Sequence, residues 1–238
     1  MRSWLNVARL DFKLRLALVI AIEVAYMAYS RLFYQAGPDF TIIEILRTPA
    51  RLVAAGAFCL LMPDIIFSRR PSLTKMRQPL FWLAMIFVAG SPILAPHSSP
   101  PILDAVILSV AAIPVGLHEE FFARGIVQNL IVDRLGAVWG VLLAAVIFAL
   151  WHVGAAPDNA INFAGIAVAG IVFGVVYLKT GSIALVVALH AIYDSLFSFP
   201  AVFGEINPIF GLLSLMIGAA VVGIWAGRKT LPNLPVGR

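Results

Sequence analysis

The sequence predicts an all-α fold, a polytopic transmembrane helical bundle of about eight helices, and three observations carry that expectation. Hydrophobic residues make up 61% of the 238-residue chain and charged residues 12%, with a mean hydropathy of +0.97, a balance that excludes an ordinary soluble domain. The apolar residues fall into runs near the length a hydrocarbon core requires, about 20 residues of helix. Lys and Arg gather beside those runs with a strong bias toward one side of the membrane.

In chain order the runs lie at 14–33, 49–67, 79–95, 101–120, 136–153, 161–178, 182–200 and 207–226. They are separated by helix-breaking residues: Gly37-Pro38, Pro71, Pro79, Pro96 with Pro100-Pro101, Gly136, Pro157, Gly181 and Pro200 through Pro208. The first run has the basic start and apolar stretch of a signal peptide. Glu23 interrupts it, however, and no small-x-small cleavage site follows, so a retained first helix is expected. Segment 121–135 is amphipathic, and it either continues the fourth helix or lies along the membrane interface. With no internal repeat, low-complexity tract or soluble insertion, residues 1–238 read as a single integral membrane domain.

An even number of crossings puts both termini on one side. Arg2, Arg9, Lys13, Arg15, Arg69, Arg70, Lys75, Arg77, Arg124, Arg134, Lys179, Arg228, Lys229 and Arg238 then share a face, 14 of the 17 basic residues, which leaves Arg31, Arg47 and Arg51 opposite. The positive-inside rule makes that face and both termini cytoplasmic, with the plasma membrane as the expected location. The net charge of +5 is therefore read as topology, and no nucleic-acid partner is expected. Cys59 is the single cysteine and lies within an apolar run, so neither a disulfide framework nor a cysteine zinc site is available.

Against this apolar background three polar clusters stand out, because an ionisable group at bilayer depth costs about 3 kcal/mol or more on insertion scales. Glu120 and Arg124 are spaced i, i+4 and meet on one helix face. Glu119 projects about 100° away and is available to another partner. Taken alone, this is equally a structural ion pair with a spare carboxylate. His152 closes the fifth run, one turn after Phe148. If the fourth and fifth helices form a hairpin turning at Gly136, Glu119 lies 17 residues before the turn and His152 lies 16 after it, which puts them at one depth. A carboxylate and an imidazole so placed can hold a water and take its proton; an interhelical hydrogen bond is the plainer alternative. His190 and Asp194, again i, i+4, can polarise a carbonyl, orient an imidazole, offer two metal ligands, or simply relay protons. Ala184, Ala188, Ala191 and Ser195 would let helices approach closely around them.

Other chemistries find less support. His118-Glu119-Glu120-Phe121-Phe122 begins like a zincin helix, but Phe122 stands where the second histidine ligand belongs. No Gly-x-Ser-x-Gly elbow occurs, so a serine nucleophile is not indicated. His97 falls in a Pro-rich loop and reads as solvated, and Glu23, Asp64 and Asp104 look isolated.

Glu119-Glu120-Phe121-Phe122-Ala123-Arg124, Phe148-Ala149-Leu150-Trp151-His152 and His190-Ala191-Ile192-Tyr193-Asp194 together resemble the motifs of one family. These are the CAAX prenyl endopeptidase type II and bacteriocin-processing intramembrane proteases, or Abi family, whose pattern is Glu-Glu-x-x-x-Arg, Phe-x-x-x-His and His-x-x-x-Asn or Asp on successive helices. The resemblance covers about residues 100–200. It implies an intramembrane endopeptidase acting on a membrane-associated protein or peptide, of CAAX or leader-peptide type. Glu119 and His152 would activate water, His190 and Asp194 would stabilise the oxyanion, and Glu120, Arg124 and Phe148 would support them. Asp194 sharpens the chemistry: ionised Asp only accepts hydrogen bonds, so it would be protonated, orient His190, or bind a metal. A zinc ion held by some of Glu119, His152, His190 and Asp194 and a metal-free glutamate mechanism both stay open. A proton- or ion-coupled transporter and a non-catalytic immunity or scaffold protein are the competing readings; the transporter would be favoured by inverted repeats, and none is visible.

Overall fold

The structure is a computed structural model that describes residues 10–36, 39–94, 100–153, 160–198 and 207–228, and every regular element among them is helical. Helix α1 spans Phe12–Ala36, α2 Phe40–Leu61, α3 Pro63–Ile66 and α4 Pro79–Leu94. Helix α5, Ile102–Glu120, runs without a break into a π-helical stretch, Phe121–Gln128, and then α6, Asn129–Leu135. Helices α7 (Ala137–Trp151), α8 (Ala160–Thr180), α9 (Ile183–Ser198) and α10 (Pro208–Gly227) complete the bundle.

Four spans, Phe12–Phe33, Ile102–Leu135, Ala160–Thr180 and Pro208–Gly227, are long and apolar enough to cross a membrane, and α4, α7 and α9 are shorter apolar helices. The outer surface agrees with that reading, since Val53, Leu60 and Val138 are each at least 70% exposed. Such residues form the lipid-facing wall of a membrane bundle, whereas in water they would be aggregation sites. Inside, Phe58, Phe81, Val172, Phe173, Val176, Tyr177, Leu215 and Trp225 form the continuous core.

Two stretches differ from the sequence expectation. The second helix starts at Phe40, not near residue 49, and Pro63 ends it early. The Asp39 side chain accepts the Thr41 backbone N–H at 2.7 Å, an N-cap just ahead of charged residues that hydropathy assigns to a loop. Segment 121–135 continues the fourth helix rather than lying on the interface. Phe121, Ala123, Arg124, Gly125 and Ile126 are buried, and Gln128 donates to the Gly174 carbonyl at 2.9 Å.

The two ends of the bundle are distinct. At one, Arg15 donates to Asp64 at 2.7 Å and to the Leu61 carbonyl at 3.1 Å; Asn129 donates to the Ile65 carbonyl at 2.9 Å. The Ser72 N–H meets the Thr180 carbonyl at 2.6 Å, and the Trp225 indole donates to the Lys75 carbonyl at 3.0 Å. The start of α1 and the end of α10 therefore lie at the same end, with Arg69, Arg70, Lys75, Arg77 and Lys179. Arg15 holds the Asp64 carboxyl below the usual carboxylate range through their hydrogen bond, so Asp64, assigned no role from sequence, is an ion-pair partner at this end.

Close helix contact makes the site possible. Helix α5 packs on α9 at Gly116, where a Cβ would come within 2.9 Å of the Val187 carbonyl oxygen. Gly116→Ala should force the two helices apart and destabilise the fold by about 1–3 kcal/mol, the usual cost of overpacking. Gly56→Ala is the control, since its Cβ would meet nothing within 4 Å and alanine is the better helix former. Unfolding of both variants in detergent micelles should separate them in that order.

Candidate active site

The three polar clusters come together at the junction of α5 with the π-helical stretch. A π-turn lengthens the backbone ring to i→i+5 and recurs at functional sites; here it begins directly after Glu119 and Glu120. Glu120 is wholly buried. Its Oε1 lies 3.0 Å from Arg124 Nη1 and 2.7 Å from His190 Nδ1, so one oxygen ties the π segment to α9. Because a carboxylate only accepts, the His190 Nδ1–H donates, and Nε2 is turned toward Glu119 Oε2 at 3.8 Å and Asp194 Oδ2 at 3.4 Å.

His152 is arranged in parallel. It caps α7, and its Nδ1 lies 2.8 Å from the Phe148 carbonyl, an acceptor that assigns the proton to Nδ1 and leaves Nε2 3.6 Å from Glu119 Oε2. Glu119 and His152, placed at one depth by counting from Gly136, are thus neighbours. The same Glu119 oxygen faces both imidazoles. Anchoring Nδ1 and presenting Nε2 is also how metal-binding histidines are held. Among the described residues, however, no group of three His, Cys, Asp or Glu is arranged to hold a metal ion.

Aromatic rings close the site. The Arg124 guanidinium sits 4.4 Å from the Phe148 ring centroid and 5.8 Å from that of Phe173, and Nη2 donates to the Gly170 carbonyl at 3.2 Å. Phe173 stacks on His190 at 5.3 Å and 25°. Phe148 also meets the edge of His152 at 4.7 Å.

Several residues stand elsewhere than the sequence suggested. Arg124, counted among the basic residues of one membrane face, is only 1% exposed and lies inside. Arg47 and Arg51, assigned to the opposite face, are buried too: both bond Glu44 and the Tyr26 hydroxyl. Glu23 is not isolated, since its Oε2 lies 2.9 Å from His118 Nε2 in a pocket with Tyr26, whose ring is 4.4 Å from that of His118. Asp104 lines the cavity described next. His97 lies outside the described residues. Phe173 and the Glu120–His190 contact were missed, because apolar periodicity reports a helix face and not its neighbour.

A cavity of about 530 Å³ begins at Glu119, His152 and Asp194 and is walled by Tyr26, Glu44, Arg47, Arg51 and Trp151. It reaches Arg31, Asp39, Phe40, Pro100 and Pro101 at the end of the bundle opposite the basic cluster.

Residues 101–196 match the model of the family described as type II CAAX prenyl endopeptidase, Rce1-like. No curated protein and no solved structure matches the chain. The family match spans all three polar clusters and leaves out α1 through α4 and α10.

Breaking a buried ion pair costs about 3–5 kcal/mol because one charge loses its compensation. Arg124→Ala should therefore lower both the melting temperature and the yield of folded protein. Unchanged thermal stability would show that Arg124 does not hold the fold through Glu120.

Proposed function

We propose, from the similarity of residues 101–196 to the Rce1-like family of type II CAAX prenyl endopeptidases, that the chain is an intramembrane endopeptidase. It hydrolyses a peptide bond of a membrane-associated protein or peptide, using a water activated by Glu119. The observation that carries this reading is the convergence of Glu119 Oε2 with the Nε2 atoms of His152 and His190 at 3.6 and 3.8 Å, at the inner end of a cavity. These separations are too long for direct hydrogen bonds, and in the proposed site a water between the groups donates one hydrogen to Glu119 Oε2 and the other to His152 Nε2.

In the proposed reaction Glu119 takes a proton from this water as its oxygen attacks the scissile carbonyl carbon. His152, fixed through Nδ1, steers the water with Nε2. The carbonyl oxygen becomes an oxyanion beside His190, which when charged donates from Nε2. Glu120 holds the other side of that ring, and Asp194, 3.4 Å from Nε2, supplies a negative charge beside the charged imidazole. Glu119 then passes its proton to the leaving amine as the C–N bond breaks. The proposed steps run through these side chains alone.

Glu119→Gln should lower peptide cleavage by at least about 10²-fold, the range of general-base removal, with the melting temperature kept. Asp194→Asn preserves shape and supplies an amide donor. It should retain activity within about tenfold, or 1.4 kcal/mol, and cleavage by the wild type should resist chelators. Stoichiometric zinc, lost together with activity in Asp194→Asn, would overturn the metal-free route.

We assign the basic end, with Lys75 and Lys179, to the cytoplasm by the positive-inside rule, which turns the cavity mouth at Asp39 to the other face. A membrane-impermeant thiol reagent applied to intact cells should label Asp39→Cys and spare Lys75→Cys. The reverse pattern would invert the topology.

A further inference from the structure

A buried pair that the proposed chemistry does not use lies next to the site without lining the cavity. Glu23, on α1 and outside the family match, is 3% exposed, and His118, on α5, is 0% exposed. Glu23 Oε2 lies 2.9 Å from His118 Nε2, and since a carboxylate only accepts, the ring donates. Among the described residues His118 Nδ1 and Glu23 Oε1 have no hydrogen-bond partner, so a single hydrogen bond joins the two helices here. The charge of Glu119 also acts on Glu23. Holding ionisable groups at bilayer depth is costly, and one hydrogen bond offsets only part of that cost. The pair is therefore a poor device for stability alone, and its place in the bundle points to another role.

The His118 imidazole meets rings from three other helices: Tyr26 of α1 at 4.4 Å, Phe58 of α2 at 5.7 Å and 21°, and Trp151 of α7, edge-on, at 6.0 Å. Trp151 is held in turn by Phe122, 4.7 Å away. Chain order gives these contacts their meaning, because His118 immediately precedes Glu119 and Trp151 immediately precedes His152. The contact between the first two rings thus ties together the backbones on either side of the 3.6 Å gap between Glu119 Oε2 and His152 Nε2. Ring contacts tolerate centroid distances of about 4.5–7 Å, whereas a hydrogen bond weakens steeply away from its preferred angle. The directional contact in this cluster is the one to Glu23. We propose that Glu23, through His118, is a positioning residue that fixes the depth and rotation of α5 at Glu119, and so sets the gap in which the attacking water sits. A misplacement of 1 Å there costs about 10²-fold in rate.

This inference rests on the endopeptidase reading, and one of its two readouts needs no cleavage. Hydrolysis of a membrane-tethered peptide is measured per mole of folded protein in detergent. Glu23→Ala, which deletes the acceptor, should lower kcat at least about tenfold with KM kept within about twofold. Glu23→Gln keeps an acceptor oxygen at the same reach and should recover kcat to within about threefold of the wild type. His118→Gln, whose amide N–H stands near the place of Nε2–H, should behave like Glu23→Gln, and His118→Leu like Glu23→Ala. Should Glu23→Ala fail to fold, Glu23→Asp takes its place, because it keeps the charge and falls one methylene short. In parallel, nitrogen-15 NMR, with His152 assigned by its loss in His152→Gln, should find the His152 ring resonances displaced in Glu23→Ala and kept in Glu23→Gln. An unchanged kcat in Glu23→Ala overturns the inference, and so does a raised KM with kcat kept, which would make α1 a substrate-binding wall. Glu23→Gln as impaired as Glu23→Ala overturns it as well, since the charge of Glu23 and not its hydrogen bond would then act. Absence of any Glu119-dependent cleavage by the wild type overturns the endopeptidase reading, and His152 resonances unmoved in Glu23→Ala overturn the positioning role independently of it.

Discussion

One carboxylate oxygen organises the site. Glu120 Oε1 holds Arg124 at 3.0 Å and His190 at 2.7 Å in a region from which lipid and protein exclude water. There, a charge persists only while it is paired. That constraint accounts for the surrounding residues. The guanidinium finds its other contacts in the Gly170 carbonyl and the faces of Phe148 and Phe173, where a desolvated cation over a ring gains about 2 kcal/mol. The approach of α5 to α9 depends on Gly116 having no side chain. Moving any of these parts shifts His190, and with it the nitrogen that faces Glu119.

Much of this was legible in the sequence because transmembrane helices obey simple counting. The eight apolar runs correspond to α1, α2, α4, the α5-to-α6 rod and α7 through α10. The i, i+4 rule paired Glu120 with Arg124 and His190 with Asp194, and residue counts from Gly136 put Glu119 beside His152. Contacts between helices distant in sequence were not legible. Nothing in a single chain states that α5 packs on α9, so Glu120 was read as a partner of Arg124 alone. Arg47 and Arg51 misled for a different reason: charges near a run's edge signal a loop when averaged by hydropathy, whereas here both pair with Glu44 inside. Glu23 and His118 met the same way, 95 positions apart.

Two polar networks occupy different parts of the chain. The one around Glu120 holds His190 and Arg124 and lies wholly within the matched segment. The one around Arg51 lies on α2, outside that segment, and faces the same cavity as Glu119.

The central claim is that Glu120 fixes the His190 ring with its proton on Nδ1 and its Nε2 toward Glu119. Nitrogen-15 NMR of the histidine side chains, with His190 assigned by its loss in His190→Gln, reads that directly. The account predicts a protonated Nδ1 on His190, retained whether the ring is neutral or charged. A neutral His190 ring protonated only at Nε2, with Nδ1 bare, would contradict it.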